Sequence, residues 1–173
     1  MTDLAAAERG WAAEWTSWAS APVAPVRLEI KGRPRPGERA GTTPDGRRYS
    51  QAKTKAVQAD VSQAWTFSGG RAGRPKRITG PVAVRILAVY PRPAGHLLKG
   101  GGLSAAGLRS HLPTSTLADL DNLAKPILDG LKGLAWTDDH QVCSLQVDKV
   151  WDDGRGARTV VWVSAMFVTE VAA

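Results

Sequence analysis

The 173-residue chain has a single cysteine, Cys143, and only two tyrosines and two phenylalanines. One cysteine excludes an internal disulfide, which rules out a disulfide-built secreted scaffold and fits a reducing compartment. Cys143 itself is expected as a small buried hydrophobe in a strand. No stretch approaches the roughly 20 apolar residues of a membrane-spanning helix. Asp3, Glu8 and Glu14 fall where a signal peptide would be basic and then uninterruptedly apolar. A soluble, cytoplasmic protein without membrane contact is expected. Acidic residues are also scarce over most of the chain: residues 1–113 hold 7 Asp+Glu against 18 Lys+Arg. Residues 114–173 reverse this, with 9 against 5. Charge is therefore segregated along the chain. A cationic surface attracts polyanions through phosphate contacts and counterion release, and an acidic cluster on the same molecule holds cations.

The length suits one compact domain with an extension. Leu4, Ala7, Trp11, Trp15 and Trp18 recur at helical spacing, so residues 1–24 read as a Trp-rich helical extension and Pro-containing linker ahead of a domain over 25–173. Three tryptophans on one stripe suit packing against the body or a partner subunit better than stacking on bases. From Val26 apolar and polar residues alternate to Lys31, the pattern of a half-buried strand closed by Gly32. Residues 32–50 read as an irregular, exposed, arginine-rich loop. A second amphipathic helix is expected over 51–67, a basic turn over 71–77, and a strand over 81–90. The long connection 91–115 contains Gly100-Gly101-Gly102 and two histidines, His96 and His111, read as exposed loop residues. A helix over 122–132 then precedes strands over 142–151 and 158–168, the last apolar on both faces as an interior strand requires. The order predicts an α+β fold, a small mixed β-sheet covered by helices.

The segment Asp119-Leu120-Asp121-Asn122-Leu123-Ala124-Lys125 carries the chemistry, with Trp136-Thr137-Asp138-Asp139 beyond the helix. An extended entry to the helix projects Asp119 and Asp121 to one side with Leu120 buried opposite. Lys125 returns to that side one turn later. A helix folding back would bring Asp138 and Asp139 alongside, gathering carboxylates that suit Mg²⁺, a hard cation, and that would repel one another without it. Each residue also has a plainer role: Asp121 suits a helix N-cap, and Asp138-Asp139 an ordinary turn. An EF-hand is excluded because its glycine and terminal glutamate are missing at their offsets from Asp119. A sugar-nucleotide transferase with an Asp-x-Asp metal pair stays open, although the cationic surplus favours a polymeric phosphate.

The run from Asp119 to Leu131, followed by Asp138-Asp139-His140-Gln141-Val142, resembles the signature of the RusA family of Holliday junction resolvases. The likeness extends more weakly to Gly32-Arg33-Pro34, the helix after Tyr49, and Lys149. By that resemblance Asp119, Asp121 and Asp139 are metal ligands and Lys125 is the catalytic lysine, while the role of Asp138 stays open. It implies a Mg²⁺-dependent endodeoxyribonuclease, with Mn²⁺ as a substitute, acting as a homodimer on branched DNA and cutting four-way junctions by paired nicks. Arg33, Arg35, Arg39, Arg47, Arg48, Arg74, Lys76 and Arg77 are the expected phosphate contacts, positioning DNA without reading bases. A noncatalytic junction-binding protein on the same fold is the alternative. The chain departs from the family pattern at Ala118, where proline is common, in residues 1–24, and in the length of the Gly100 loop. Pro126 removes a helical donor, tolerable only near a helix start.

Overall fold

A computed structural model of the protein describes residues 25–38, 41–49, 51–69, 75–114 and 118–166. The Trp-rich extension, Arg39, Arg74 and residues 167–173 lie outside the described residues. The chain runs through β1 (Val26–Lys31), β2 (Gly41–Thr42), β3 (Arg48–Tyr49), α1 (Ala52–Phe67), β4 (Val82–Tyr90), α2 (Ala105–Arg109), α3 (Leu120–Leu131), β5 (Val142–Trp151) and β6 (Arg158–Ala165). Strands β1, β6, β4 and β5 form one sheet in that order. Strand β4 pairs antiparallel with β6 and parallel with β5, and β6 pairs antiparallel with β1. The fold is thus α+β with a mixed sheet.

The apolar runs explain the strand order. β4 and β6 are buried along nearly their whole length, so they occupy the interior of the sheet. β1 shows the expected alternation, burying Leu28 and exposing Arg27 and Glu29. One face of the sheet packs on α1 and α3, joining Leu28, Val84, Ile86, Val161 and Val163 to Val57, Val61, Trp65, Ile127 and Leu131 in the main core. The two helices cross closely at Gly130, where a Cβ would lie 2.9 Å from the Gln58 carbonyl oxygen. The Ser62 hydroxyl donates to the Gly130 carbonyl at 2.8 Å. The parallel β4–β5 pair is connected through α3, as a parallel connection needs a crossover element. No helix among the described residues is long and apolar enough to cross a membrane.

Three expectations need correction. Cys143 is exposed, because β5 is an edge strand and Cys143, Ser144, Leu145 and Gln146 are all exposed. The basic loop is not wholly irregular: β2 and β3 form a hairpin closed by Thr43-Pro44-Asp45-Gly46. The Gly46 N–H donates to the Thr43 carbonyl at 2.9 Å, with proline and glycine at the positions a type I turn favours. The connection after β4 holds a 3₁₀ turn over Ala94–His96 and the short α2. His111 is exposed, whereas His96 is half-buried, with its ring edge-to-face on Trp151 at 5.4 Å.

Candidate active site

Helix α3 begins two residues earlier than its apolar periodicity predicts. Asp119 is the extended N-cap residue, although its side chain makes no capping bond, and Leu120 opens the helix. Leu120 is therefore 41 % exposed rather than buried opposite the aspartates. Asp119 and Asp121 are both exposed. Neither carboxylate has a hydrogen-bond or ion-pair partner among the described residues.

The surroundings place this turn at the carboxyl ends of the parallel strands. Ala118 and Leu123 pack with Ala88, Tyr90 and Trp151. Lys149 of β5 donates its ammonium to the Ala118 carbonyl at 3.1 Å, fixing the entry to the helix. The Tyr90 hydroxyl is buried without a hydrogen-bond partner. Burial raises its pKa, and the charge of Arg33 opposes that rise. Lys125 lies on the same helix and is 78 % exposed, with Asp129 as its ion-pair partner at 3.5 Å.

Asp138 and Asp139 stand elsewhere. The Lys132 ammonium, at the C-terminal end of α3, lies 3.0 Å from Asp138 and 3.6 Å from Asp139. Twelve helical residues separate the two ends, about 18 Å at the α-helical rise. The hydrogen bond from Lys132, with backbone and side-chain bonds from His140, holds the Asp138 carboxyl at about 2. The same bond to Asp138 raises the Lys132 pKa. The indole N–H of Trp136, a fully buried residue, donates to Asp139 at 3.2 Å. Gln141 braces the turn from both sides of its amide. Its oxygen accepts from the Thr137 and Asp138 backbone at 2.8 and 3.1 Å. Its nitrogen donates to the Ile78 and Gly80 carbonyls at 3.2 and 2.9 Å.

Helix α3 thus does not fold back to gather all the carboxylates. Among the described residues no group of three or more His, Cys, Asp or Glu side chains is arranged to hold a metal ion. The structure brings together Asp119 with Asp121, and Asp138 with Asp139, at opposite ends of one helix.

The cationic residues also divide. Arg33 and Lys76 are exposed with no ion pair among the described residues. Arg35 is paired with Asp60, and Arg47 with Asp45 at 3.2 Å. Arg77 donates to the Gly133 carbonyl at 2.6 Å, so its guanidinium braces the turn after α3. Arg48 is placed on β3 by its backbone. Lys132, Trp136 and Gln141 carry roles that spacing did not reveal. Only Gln141 fell inside the recognised signature, and nothing local marks a buried indole as a carboxylate's partner.

An exposed carboxylate pair at strand ends, with Lys125 and Lys149 on the same elements, is a chemistry that suits phosphodiester substrates. The sequence model described as Endodeoxyribonuclease RusA matches residues 22–164. That is well over half of the chain, which therefore belongs to the RusA endodeoxyribonuclease family. Compared with curated proteins, the chain matches none.

Proposed function

We propose that the protein is a homodimeric, Mg²⁺-dependent endonuclease that resolves four-way DNA junctions by paired symmetric nicks. The observation that carries this reading is the first turn of α3, where Asp119 and Asp121 face solvent with no counter-ion among the described residues. Carboxylate oxygens are hard donors that suit Mg²⁺, and Mn²⁺ would substitute. Asp119, Asp121 and Asp139 would hold the ion, whose chemistry there would be activation of a water and neutralisation of charge on the attacked phosphate. Lys125 would swing from Asp129 to stabilise charge developing on the phosphate. Arg33 and Lys76 make the first phosphate contacts. Arg35 and Arg47 join by exchanging their exposed carboxylate partners for DNA.

The third ligand is the difficulty, and the homodimer resolves it. Strand β5 is an edge strand with four consecutive exposed residues, Cys143 to Gln146. Unpaired edges recruit strands of other chains. Two-fold antiparallel pairing centred on Leu145 would direct the turn ahead of β5, which carries Asp139, towards the carboxyl end of the mate's β5 at Trp151. Trp151 packs with Ala118 beside Asp119. Each site would then take Asp119 and Asp121 from one subunit and Asp139 from its mate. Two such sites around a dyad suit paired cuts on a nearly two-fold junction.

The experiment is cleavage of a labelled four-way junction, beside a matched linear duplex, by wild type, Asp121→Asn, Asp139→Asn and a refolded equal mixture of the two variants. Metal-dependent, symmetric nicking by wild type supports the endonuclease, and junction binding without cleavage in any metal would leave a DNA-binding protein. With composite sites the mixed dimer retains one intact site, so the mixture regains about a quarter of wild-type sites and nicks one strand. Sites contained in single subunits would give no recovery.

A further inference from the structure

Pro126 sits at the seventh residue of α3 rather than near its start, since the helix opens at Leu120. A proline there has no N–H for the carbonyl four residues back, and its ring crowds that carbonyl. The carbonyl is that of Asn122, in the same turn as Asp121. It does not go unpaired, because the Gly37 N–H donates to it at 2.7 Å. The proline ring lies directly against Gly37, where a Cβ would stand 3.3 Å from Pro126 Cδ and 3.5 Å from the Asn122 oxygen. The same short loop is tied to α1, with the Glu38 N–H donating to the Thr54 hydroxyl at 2.8 Å. Lys53 donates to Glu38 at 2.8 Å, and Arg35 pairs with Asp60.

We propose that Gly37 and Pro126 form a clamp that positions the cationic loop over the acidic first turn of α3. In it, the proline exposes the Asn122 carbonyl and the missing glycine side chain lets the loop reach it. Its consequence is a fixed spacing between Arg33, which contacts phosphate, and Asp119 and Asp121, which face the scissile bond. Gly37 and Pro126 are positioning residues, and this role rests on the endonuclease reading for its effect on cleavage, although not for the geometry itself.

The test uses the full chain with Pro126→Ala, Gly37→Ala and the double variant. An alanine at 126 supplies its own N–H to Asn122 and favours the helix, so this variant keeps the fold. Amide hydrogen exchange at Gly37 is expected to lose protection in Pro126→Ala. Junction affinity, measured by anisotropy in chelator, is expected to fall roughly fivefold to tenfold, the scale of one lost hydrogen bond. The Mg²⁺ concentration for half-maximal cleavage stays as in wild type, which a general loosening of the site would not allow. Gly37→Ala is expected to match that loss alone, yet to cost much less in the Pro126→Ala background, since directly touching residues are not additive. Unchanged Gly37 protection, or fully additive effects of the two substitutions, would overturn the clamp. Should wild type cut no DNA, the endonuclease reading fails, while exchange and binding still decide the clamp.

Discussion

The two ends of α3 treat their carboxylates in opposite ways. At the N-terminal end Asp119 and Asp121 are exposed and without a partner among the described residues. At the C-terminal end Asp138 and Asp139 share the Lys132 ammonium, and Trp136, His140 and Gln141 complete the arrangement. One end keeps its charge uncompensated and fit to recruit a cation. The other offsets part of its charge with Lys132 and fixes its geometry. The proposed ligand set, divided this way, suits the proposed site assembled from two subunits, in which one part binds and the other arrives already oriented.

The comparison breaks most sharply at Asp121. Asp121→Asn removes a charge that no side chain among the described residues pairs with, so the fold should be unaffected and cleavage of a four-way junction should drop on the order of 10³-fold. Junction affinity in chelator should hold or rise, because a negative charge beside phosphate is gone. Single-turnover rates with matched binding curves measure both. Loss of binding together with cleavage would mean that the turn is structural.

Trp136→Phe probes the other end. The phenyl ring keeps an aromatic group in the core, though a smaller one than the fully buried indole, while Asp139 loses the N–H that orients it. Groups behind a metal ligand typically contribute 10–100-fold to metal affinity or activity. The Mg²⁺ concentration for half-maximal cleavage should rise by about that factor, measured alongside the fall in urea midpoint that the smaller buried ring brings. An unchanged metal titration would remove Asp139 from the site.

How far the sequence carries depends on whether the information is local. Periodicity placed α1 within one residue of its start, located β1, β4 and β5, and marked β6 as interior, because alternation and apolar runs report which faces a segment buries. The charge split and the recognised signature nominated Asp119, Asp121 and Asp139, of which only Asp119 and Asp121 share one turn of the structure. What they could not convey is strand order. Cys143 is exposed because β4 stands between β5 and β6, leaving β5 at the edge, and no feature of β5 itself says so. The separation of Asp139 from Asp121 has the same origin, since the direction in which α3 returns over the sheet is a long-range property. Pro126 was the exception: its missing donor was legible, but its partner, Gly37, lies 89 positions earlier in the chain.

Gly130 holds the two ends at their spacing, since α3 meets α1 there. Gly130→Ala would gain about 1 kcal/mol of helix propensity, yet its Cβ would meet backbone atoms of Gln58 at 2.9 and 3.0 Å, which cannot move aside as a side-chain tip can. Overpacking of this kind costs about 1–3 kcal/mol, and contact with backbone places it at the upper end. A net loss of about 1–2 kcal/mol in chemical denaturation is expected. A neutral or stabilising result would mean that the helices part readily and that the spacing between the ends is adjustable.

The smallest effect concerns pH. Asp138 is held at about 2, chiefly by its hydrogen bond from Lys132, against an ordinary aspartate value of about 3.9 in the unfolded chain. A carboxyl whose folded value is the lower one contributes stability that is fully present above the unfolded value and is lost as pH falls through the folded one. The window is therefore about pH 4 down to about 2. The pair is solvent-facing, so its contribution is modest and screened by salt. Measured in chelator at low ionic strength, Asp138→Asn should unfold at lower denaturant than wild type at pH 6, and the two should converge as pH approaches 2. A gap constant down to pH 2 would show that the carboxylate's charge contributes nothing there, and the contrast between the ends of α3 would then rest on geometry alone.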